Sequence, residues 1–394
     1  MNDLDALRTP EGRALLDEVR STTPADELAV ATRLRRTHPA ELVSAALGQA
    51  RLRQRAVAKF GAEDAELMFF TPDGVEQSTR ASVAAYRAGR LRELGVTSVA
   101  DLCCGIGGDA IAMARAGIRV LAVDRDPVTA ETARANAEAL GLTGLVEVRR
   151  ADVTEVDTDG YDAVFVDPAR RGRRSGGAGR SRIFDPEAYS PPLSWAVGAA
   201  RTAPRAAALK VAPGIPHEAV PEDAEAEWIS DGGDVKEAVL WFGTEPGAVR
   251  ATLLPGPRTL LSRGLPDPAV RPPGRFLYEP DGAVIRARLV AEVAESVGGG
   301  LLDPTIAYVT ADALRPTAYA TAYEITDHLP FGVKRLKALL REREVGALTV
   351  KKRGSAVEPE ELRRMVRPRG PHAATVFLTR VAGAPAMLIG RPAG

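Results

Sequence analysis

The chain has 394 residues, 45% of them apolar, with 52 basic and 52 acidic side chains and a formal net charge of zero. That length exceeds one ordinary core and fits two or three domains with ample buried material. No apolar run approaches the ~20 residues that a membrane helix needs, so a spanning segment is not expected. The start, Met1-Asn-Asp-Leu-Asp-Ala, lacks the basic-then-apolar pattern of a leader. Two adjacent cysteines, Cys103 and Cys104, cannot staple a fold. A cytoplasmic protein is expected. Zero net charge neither demands nor excludes nucleic acid, because the local distribution of charge decides that. All but seven of the basic residues are Arg, so a single arginine is weak evidence of an anion site.

In chain order, Leu4, Leu7, Leu15, Leu16 and Val19 have loose helical spacing, and Thr23-Pro-Ala-Asp-Glu reads as a helix start. Residues 1–80 are therefore expected to form a helical subdomain. From about residue 81, helices alternate with short apolar strands. Helices are expected at Arg80–Leu94, Asp109–Ala116 and Thr129–Leu140. Strands are expected at Ser98–Cys103, Ile118–Val123, Val146–Arg149, Ala163–Val166 and Ala206–Val211. That alternation predicts right-handed crossovers and a parallel sheet covered on both faces. Glu227–Ile229 and Ala238–Phe242, separated by Ser230-Asp-Gly-Gly-Asp, fit an antiparallel hairpin at the sheet edge.

An α/β domain is thus expected over 81–270, with the Pro- and Gly-rich 254–274 as a connection. Residues 271–394 read as a small α+β domain. Its expected elements are a helix from Val284 to Val297 stopped by Gly298-Gly-Gly, then Tyr323-Glu-Ile-Thr. A helix Val333–Glu342, a strand Ala347–Lys351, a helix Pro359–Val366 and strands Ala374–Arg380 and Ala386–Gly390 follow.

The chemistry concentrates in Asp101-Leu-Cys-Cys-Gly-Ile-Gly-Gly-Asp109. A strand ending in an acid, then glycines, then a helix lets the backbone turn tightly and approach a ligand closely. The Gly-Ile-Gly-Gly spacing lacks the third glycine of a dinucleotide site. Three further acids end strands: Asp124, Asp152 and Asp167. In an open parallel sheet these positions share the carboxyl edge, where ligands bind.

On these residues the chain resembles a class I S-adenosylmethionine (SAM) dependent methyltransferase over 81 to about 245, which implies a Rossmann-like sheet and SAM as cofactor. Residues 68–172 are similar to the trimethylguanosine synthase family through Phe70-Thr-Pro, the 101–109 motif, Ala122-Val-Asp-Arg-Asp-Pro, Ala133-Arg-Ala-Asn-Ala and Asp167-Pro168. The whole chain resembles bacterial methyltransferases with a C-terminal THUMP-like domain, which implies an RNA partner. The resemblance assigns Asp101 and Gly105 to the methionine end of SAM, Asp124 to the ribose and Asp152 to the adenine edge. Cys103, Gly107, Asp109, Arg125 and Val153 beside them complete the candidate cofactor residues. Gln77, Ser78 and Thr79 either contact the methionine carboxylate or cap the helix that follows.

Amino-directed methyltransferases carry a polar residue, two prolines and an aromatic ring after the fourth strand. Here the residues are Asp167-Pro168-Ala169-Arg170, so the second proline and the ring are missing. Asp167, Pro168 and Arg170 are the candidate catalytic residues, with methyl transfer to an exocyclic amine of an RNA base expected. Phe184, Tyr189 or Trp195 offer a ring, unless they pack on the sheet. Segment 170–182 holds six arginines and no acid; Arg171, Arg173, Arg174 and Phe184 are candidate substrate contacts. The alternatives are a disordered surface loop, a protein or small-molecule acceptor, or a non-catalytic RNA-binding chain. Lys210 either lines the active-site edge or is a snorkelling surface lysine. Lys351, Lys352, Arg353, Arg363, Arg364, Arg367 and Arg369 either track RNA or form a solvated face. The four histidines (His38, His217, His328, His372) lack metal-ligand spacing, and no metal is expected.

Overall fold

The computed structural model describes residues 3–173, 180–182 and 185–393, with backbone alone for 171–173 and 180–182. The chain forms two compact units, Met1–Ala224 with Val239–Pro246, and Glu225–Ala238 with Gly247–Gly394.

Five parallel strands build the sheet of the first unit, in the spatial order Val146–Arg150, Arg119–Asp124, Ser98–Leu102, Ala163–Val166, Ala206–Val211. The part of strand Asp234–Phe242 that belongs to this unit lies beside Ala206–Val211. Ser98–Leu102, Ala163–Val166 and Ala206–Val211 are buried along their whole length, as strands covered on both faces must be. Winding reverses at Ser98–Leu102: the chain first adds strands on one side of it and then on the other. A ligand crevice opens at the carboxyl end of such a switch point.

Helices Ala81–Glu93, Gly108–Arg115, Pro127–Ala139 and Leu193–Thr202 cover this sheet. Their ends follow caps more than periodicity. Asp126 accepts from the Thr129 amide at 2.8 Å with Pro127 in the first helical position, so that helix begins earlier than its apolar spacing predicts.

The N-terminal stretch is helical, as expected: Asp3–Arg8, Pro10–Val19, Glu27–Leu34, Ala40–Phe60, Ala62–Leu67 and Pro72–Gln77. Leu7, Leu15, Leu16, Val19, Leu34, Val43 and Leu47 form a core that takes in Phe69 and Ala135. The helices are thereby anchored on Pro127–Ala139, and Arg8 adds ion pairs to Glu131 and Glu138 on the same helix.

In the second unit, Glu225–Asp231 and the start of Asp234–Phe242 are neighbours joined by Gly232-Gly233. Both glycines have positive φ (63° and 85°), the requirement of a two-residue hairpin turn. The expected hairpin is present but not at the sheet edge, because Val249–Leu254 and Arg258–Leu261 extend the sheet beyond Glu225–Asp231. Residues 254–274 are not simply a connection, however. Val249–Leu254 pairs parallel to Glu225–Asp231, and Arg258–Leu261 folds back on it antiparallel. Pro255-Gly256, read as a linker signal, is the turn between two strands whose pairing partner lies far back in sequence.

A seven-stranded sheet follows, ordered Gly300–Asp303, Ile306–Ala311, Phe276–Pro280, Ala320–Pro330, Ala384–Pro392, His372–Val381, Val345–Lys352. Its pairs are antiparallel except the last, which is parallel. Helices Val333–Glu342 and Pro359–Val366 pack through Leu336, Leu340, Leu362 and Val366 onto Val376, Leu378, Met387 and Ile389. The single helix expected over 284–297 is two, Gly282–Arg286 and Val290–Val297. Arg288 stands between them at φ 59°, a left-handed conformation that no turn residue announces.

Candidate active site

Three left-handed residues shape the loop after Ser98–Leu102: Cys103 (φ 68°), Gly105 (φ 58°) and Gly107 (φ 90°). A Cβ added at Gly105 would meet nothing within 4 Å. Glycine is needed there for its conformation, and the space beside it is open to a ligand. The Gly105 amide donates to Asp124 Oδ2 at 3.1 Å, and the Cys104 amide donates to the Val123 carbonyl at 2.9 Å. The loop is thus tied to the end of the neighbouring strand. Burial and the nearby carboxylates push both cysteine thiols up, which disfavours their thiolate forms.

Asn136 anchors the loop from outside. It is buried, accepts from the Phe69 amide at 2.6 Å and donates to the carbonyls of Phe69 (3.1 Å) and Ile106 (2.9 Å). Three motifs read separately in the sequence, Phe70-Thr-Pro, the glycine loop and Ala133-Arg-Ala-Asn-Ala, meet through this one amide. Its role was not legible, because an Asn inside a helix carries no sign of a distant partner.

Acids ring the switch point. Asp124 accepts from the amides of Gly105 and Asp126 (2.9 Å); its burial raises its pKa, partly offset by those bonds. Asp152 Oδ1 accepts from the Thr154 amide at 3.0 Å and its hydroxyl at 2.8 Å, which holds its pKa down. Val153 begins the short turn that Asp152 caps. Arg125 adjoins both acids, and its charge favours the ionised form of each.

Asp101 differs from the others. It is 0% exposed, and neither carboxylate oxygen has a hydrogen-bond partner among the described residues. Burial, then the charges of Asp109 and Asp167, lift its pKa well above the usual carboxylate range. A buried, unsatisfied carboxylate is costly, and a cationic ligand group would relieve that cost.

Beside Asp101 runs a buried polar chain. Arg87, 1% exposed, donates to Asp109 Oδ1 at 2.6 Å and lies over the Phe165 ring at 4.8 Å. Thr79 Oγ1 donates to Asp109 Oδ2 at 2.9 Å and accepts from Lys210 Nζ at 2.7 Å. Lys210 Nζ also donates to Asp167 Oδ2 at 2.5 Å. Burial pushes the Asp109 carboxyl up, but Arg87 and Lys210 outweigh it and hold its pKa below the usual range.

Lys210 is not a snorkelling surface lysine: it is 3% exposed and bonded to Asp167. Gln77-Ser78-Thr79 does not cap the next helix, whose cap position is Arg80 with no side-chain bond. Ser78 Oγ turns back to the Gly74 carbonyl at 2.6 Å and Gln77 is exposed, whereas Thr79 joins the polar chain. Asp109 spends both oxygens on Arg87 and Thr79.

Beyond Asp167, Pro168 is buried, Ala169 exposed and Arg170 half-buried. Ala169 exchanges two backbone bonds with Ser190 (2.9 and 3.1 Å), closing the loop. Tyr189 is 3% exposed and Trp195 half-buried on Leu193–Thr202. Arg171–Arg173 pairs antiparallel with Arg180–Arg182 through the backbone. Arg174 and Phe184 lie outside the described residues.

A parallel sheet with its switch point at a glycine loop and acids at successive strand ends defines a Rossmann-like methyltransferase fold. Comparison with known proteins agrees. Residues 99–169 match a methyltransferase domain, 320–392 a THUMP domain-like family, and 1–56 a domain of unknown function. The chain is 36% identical over 341 residues to proteins from two strains of Mycobacterium tuberculosis described as uncharacterized S-adenosylmethionine-dependent methyltransferases. That match covers 84% of this chain and 90% of theirs. The crystal structure of a putative methyltransferase from Porphyromonas gingivalis superposes with a TM-score of 0.79 at 23% identity, covering 100% of this chain and 98% of that one. The chain belongs to the S-adenosylmethionine-dependent methyltransferases.

Proposed function

We propose that this enzyme methylates RNA, with SAM lying along the carboxyl edge from Asp101 to Asp152 and the acceptor nucleotide above Asp167. One arrangement carries the reading. The switch point holds an unpartnered buried carboxylate on one side and an outward-facing carboxylate on the other, in a chain whose C-terminal region matches a THUMP domain-like family.

The site's chemistry fits the cofactor. Neither oxygen of Asp101 has a hydrogen-bond partner among the described residues, and the α-ammonium of SAM would be one. Open space at Gly105 admits a ligand against the backbone. Asp124 is assigned to the ribose hydroxyls and Asp152 to the adenine amino group. Cys103, Gly107, Arg125 and Val153 line the same edge, and Ser78 and Asp109 support it from behind. SAM supplies an electrophilic methyl on a sulfonium, so little charge must be created and the protein contributes mainly alignment. Asp167 and Pro168 hold the acceptor, and Arg170, Arg171, Arg173 and Arg174, which follow in sequence, are assigned to RNA phosphates.

The RNA reading rests on the THUMP-like match and on the arginines that follow Asp167. Similarity to trimethylguanosine synthase is the sequence argument for an exocyclic amine as the acceptor atom, and that atom depends on what surrounds Asp167. Tritiated SAM and the purified enzyme, incubated with total RNA and total protein from cells lacking the gene, test the substrate class. Label in RNA supports the proposal; label confined to protein or small molecules overturns it.

A further inference from the structure

We infer that the acceptor atom is an oxygen, the 2′-hydroxyl of a ribose, and that Lys210 is the positioning residue that makes it so. The inference rests on the RNA reading above and concerns the same site.

Asp167 faces the acceptor side with its side chain 22% exposed, but it does not face it as a free carboxylate. Its Oδ2 is held at 2.5 Å by Lys210, whose side chain is 4% exposed. Lys210 is in turn fixed by Thr79 at 2.7 Å, and Thr79 by Asp109 and Arg87. Among the described residues Asp167 Oδ1 has no such partner and is the carboxylate oxygen left for the acceptor, with an ammonium behind the carboxylate.

This arrangement suits the two acceptor types unequally. An exocyclic amine carries two N–H groups and a lone pair conjugated with the ring. Freeing that lone pair takes two well-placed acceptors, and the nitrogen is cationic between attack and loss of its proton. A fixed ammonium beside it opposes that charge. A hydroxyl has one proton to give, to one acceptor. Its oxygen gains negative charge as the proton leaves, which the same ammonium stabilises.

The step balances. The oxygen's lone pair forms the new O–C bond, and the C–S bond breaks with its pair passing to sulfur. The O–H proton moves to Asp167 Oδ1. Sulfonium and carboxylate become thioether and carboxylic acid.

A second observation agrees. A base acceptor has to be swung out and held, usually by stacking on a ring. Among the described residues the loop offers Ala169 and Arg170 where that ring would stand, and Tyr189 is buried at 3% exposure. A ribose needs no such platform. Within an RNA chain the internal hydroxyl is the ribose 2′-OH, so an oxygen acceptor on RNA is that group.

The test is a reaction of full-length enzyme and deuteromethyl-SAM with total RNA from cells lacking the gene, digested to nucleosides and analysed by mass spectrometry. The expected product carries the label on the ribose fragment, and alkaline hydrolysis of the same RNA should leave the label in resistant dinucleotides. Label on the base fragment overturns this inference and leaves the RNA reading intact. RNA without label, with label in protein, overturns both.

Lys210→Met and Lys210→Arg then test the positioning role. Lys210→Met should lower kcat by about 100-fold or more, within the range of proton-transfer effects, with SAM binding by calorimetry retained. Lys210→Arg should restore part of the rate, and the pH–rate profile should shift in Lys210→Met. If Lys210→Met binds SAM and keeps a near wild-type rate and pH profile, the role is overturned.

Discussion

Lys210 Nζ and Asp167 Oδ2 lie 2.5 Å apart, each one residue beyond the last paired row of neighbouring parallel strands. Val166 pairs with Leu209, so the next position on each strand brings the acid and the base face to face. The contact is a product of register. A one-residue slip would put Leu209 or Val211 opposite Asp167 and turn the lysine to the other face.

Asp167→Ala is expected to abolish methyl transfer while leaving SAM affinity close to wild type, because the residue sits on the acceptor side of the switch point. It also strands a buried ammonium, which costs about 3–5 kcal/mol. Asp167→Asn, which can still accept from Lys210, is the milder companion. Calorimetric SAM titration alongside a labelled-transfer assay checks both. Parallel loss of binding and transfer would place Asp167 in the cofactor site instead.

Asp101 gives a pH prediction with a definite sign. Burial raises its folded pKa well above the usual range. Between the usual value and the raised one, the folded protein therefore holds a proton that the unfolded chain has released. Stability of the free enzyme falls as pH rises through that window. Asp101→Asn should flatten this slope, raise Tm at the alkaline end and weaken SAM binding, a trade of function for stability. SAM affinity of the wild type should drop on acidification as Asp101 takes up its proton. Melting curves and SAM titrations across pH would show it, and identical slopes for both proteins would count against it.

Arg87 and Asp109 form an ion pair with side chains 2% and 10% exposed. Arg87→Met removes the ion-pair partner of buried Asp109 and leaves it to Thr79 and the charge of Lys210, costing up to about 3–5 kcal/mol. Replacing both residues by apolar ones should recover much of that loss. Denaturant unfolding of the two single variants and the double variant measures the coupling, and simple additivity would mean that the pair does not act as a unit.

Asn136→Leu should cost about 1–3 kcal/mol by leaving backbone groups of Phe69 and Ile106 unpaired. Because Ile106 is in the cofactor loop, SAM affinity should weaken as well. A variant that loses stability yet binds SAM like the wild type would separate the helix anchor from the loop.

RNA binding, if driven by the arginines after Asp167, must be salt-dependent. Replacing Arg171 and Arg173 together by Ala should weaken binding across sequences and reduce the logarithmic salt slope by about 2, one for each lost phosphate contact. An unchanged slope in filter-binding titrations would remove these residues from the interface.

Much of the first unit was legible in the sequence because its signals are local. Apolar runs of strand length, helical spacing, a glycine loop and acids at strand ends depend on the chain's own periodicity and turn chemistry. They placed Asp101, Gly105, Asp124, Asp152 and Asp167 on one edge. The strands over 249–261 were hidden because Pro255 and Gly256 mark a turn equally well inside a sheet or in a linker. Only the three-dimensional fold joined Arg87, Asp109, Thr79, Lys210 and Asp167, where one hydrogen bond spans 131 positions in sequence. A lysine in an apolar strand reads the same whether it faces water or a carboxylate. Strand register and burial decide between them, and no periodicity within one segment encodes its neighbour. The acidic carboxyl edge was written in local pattern, whereas the Lys210–Asp167 pair was decided by the packing of strands far apart in the chain.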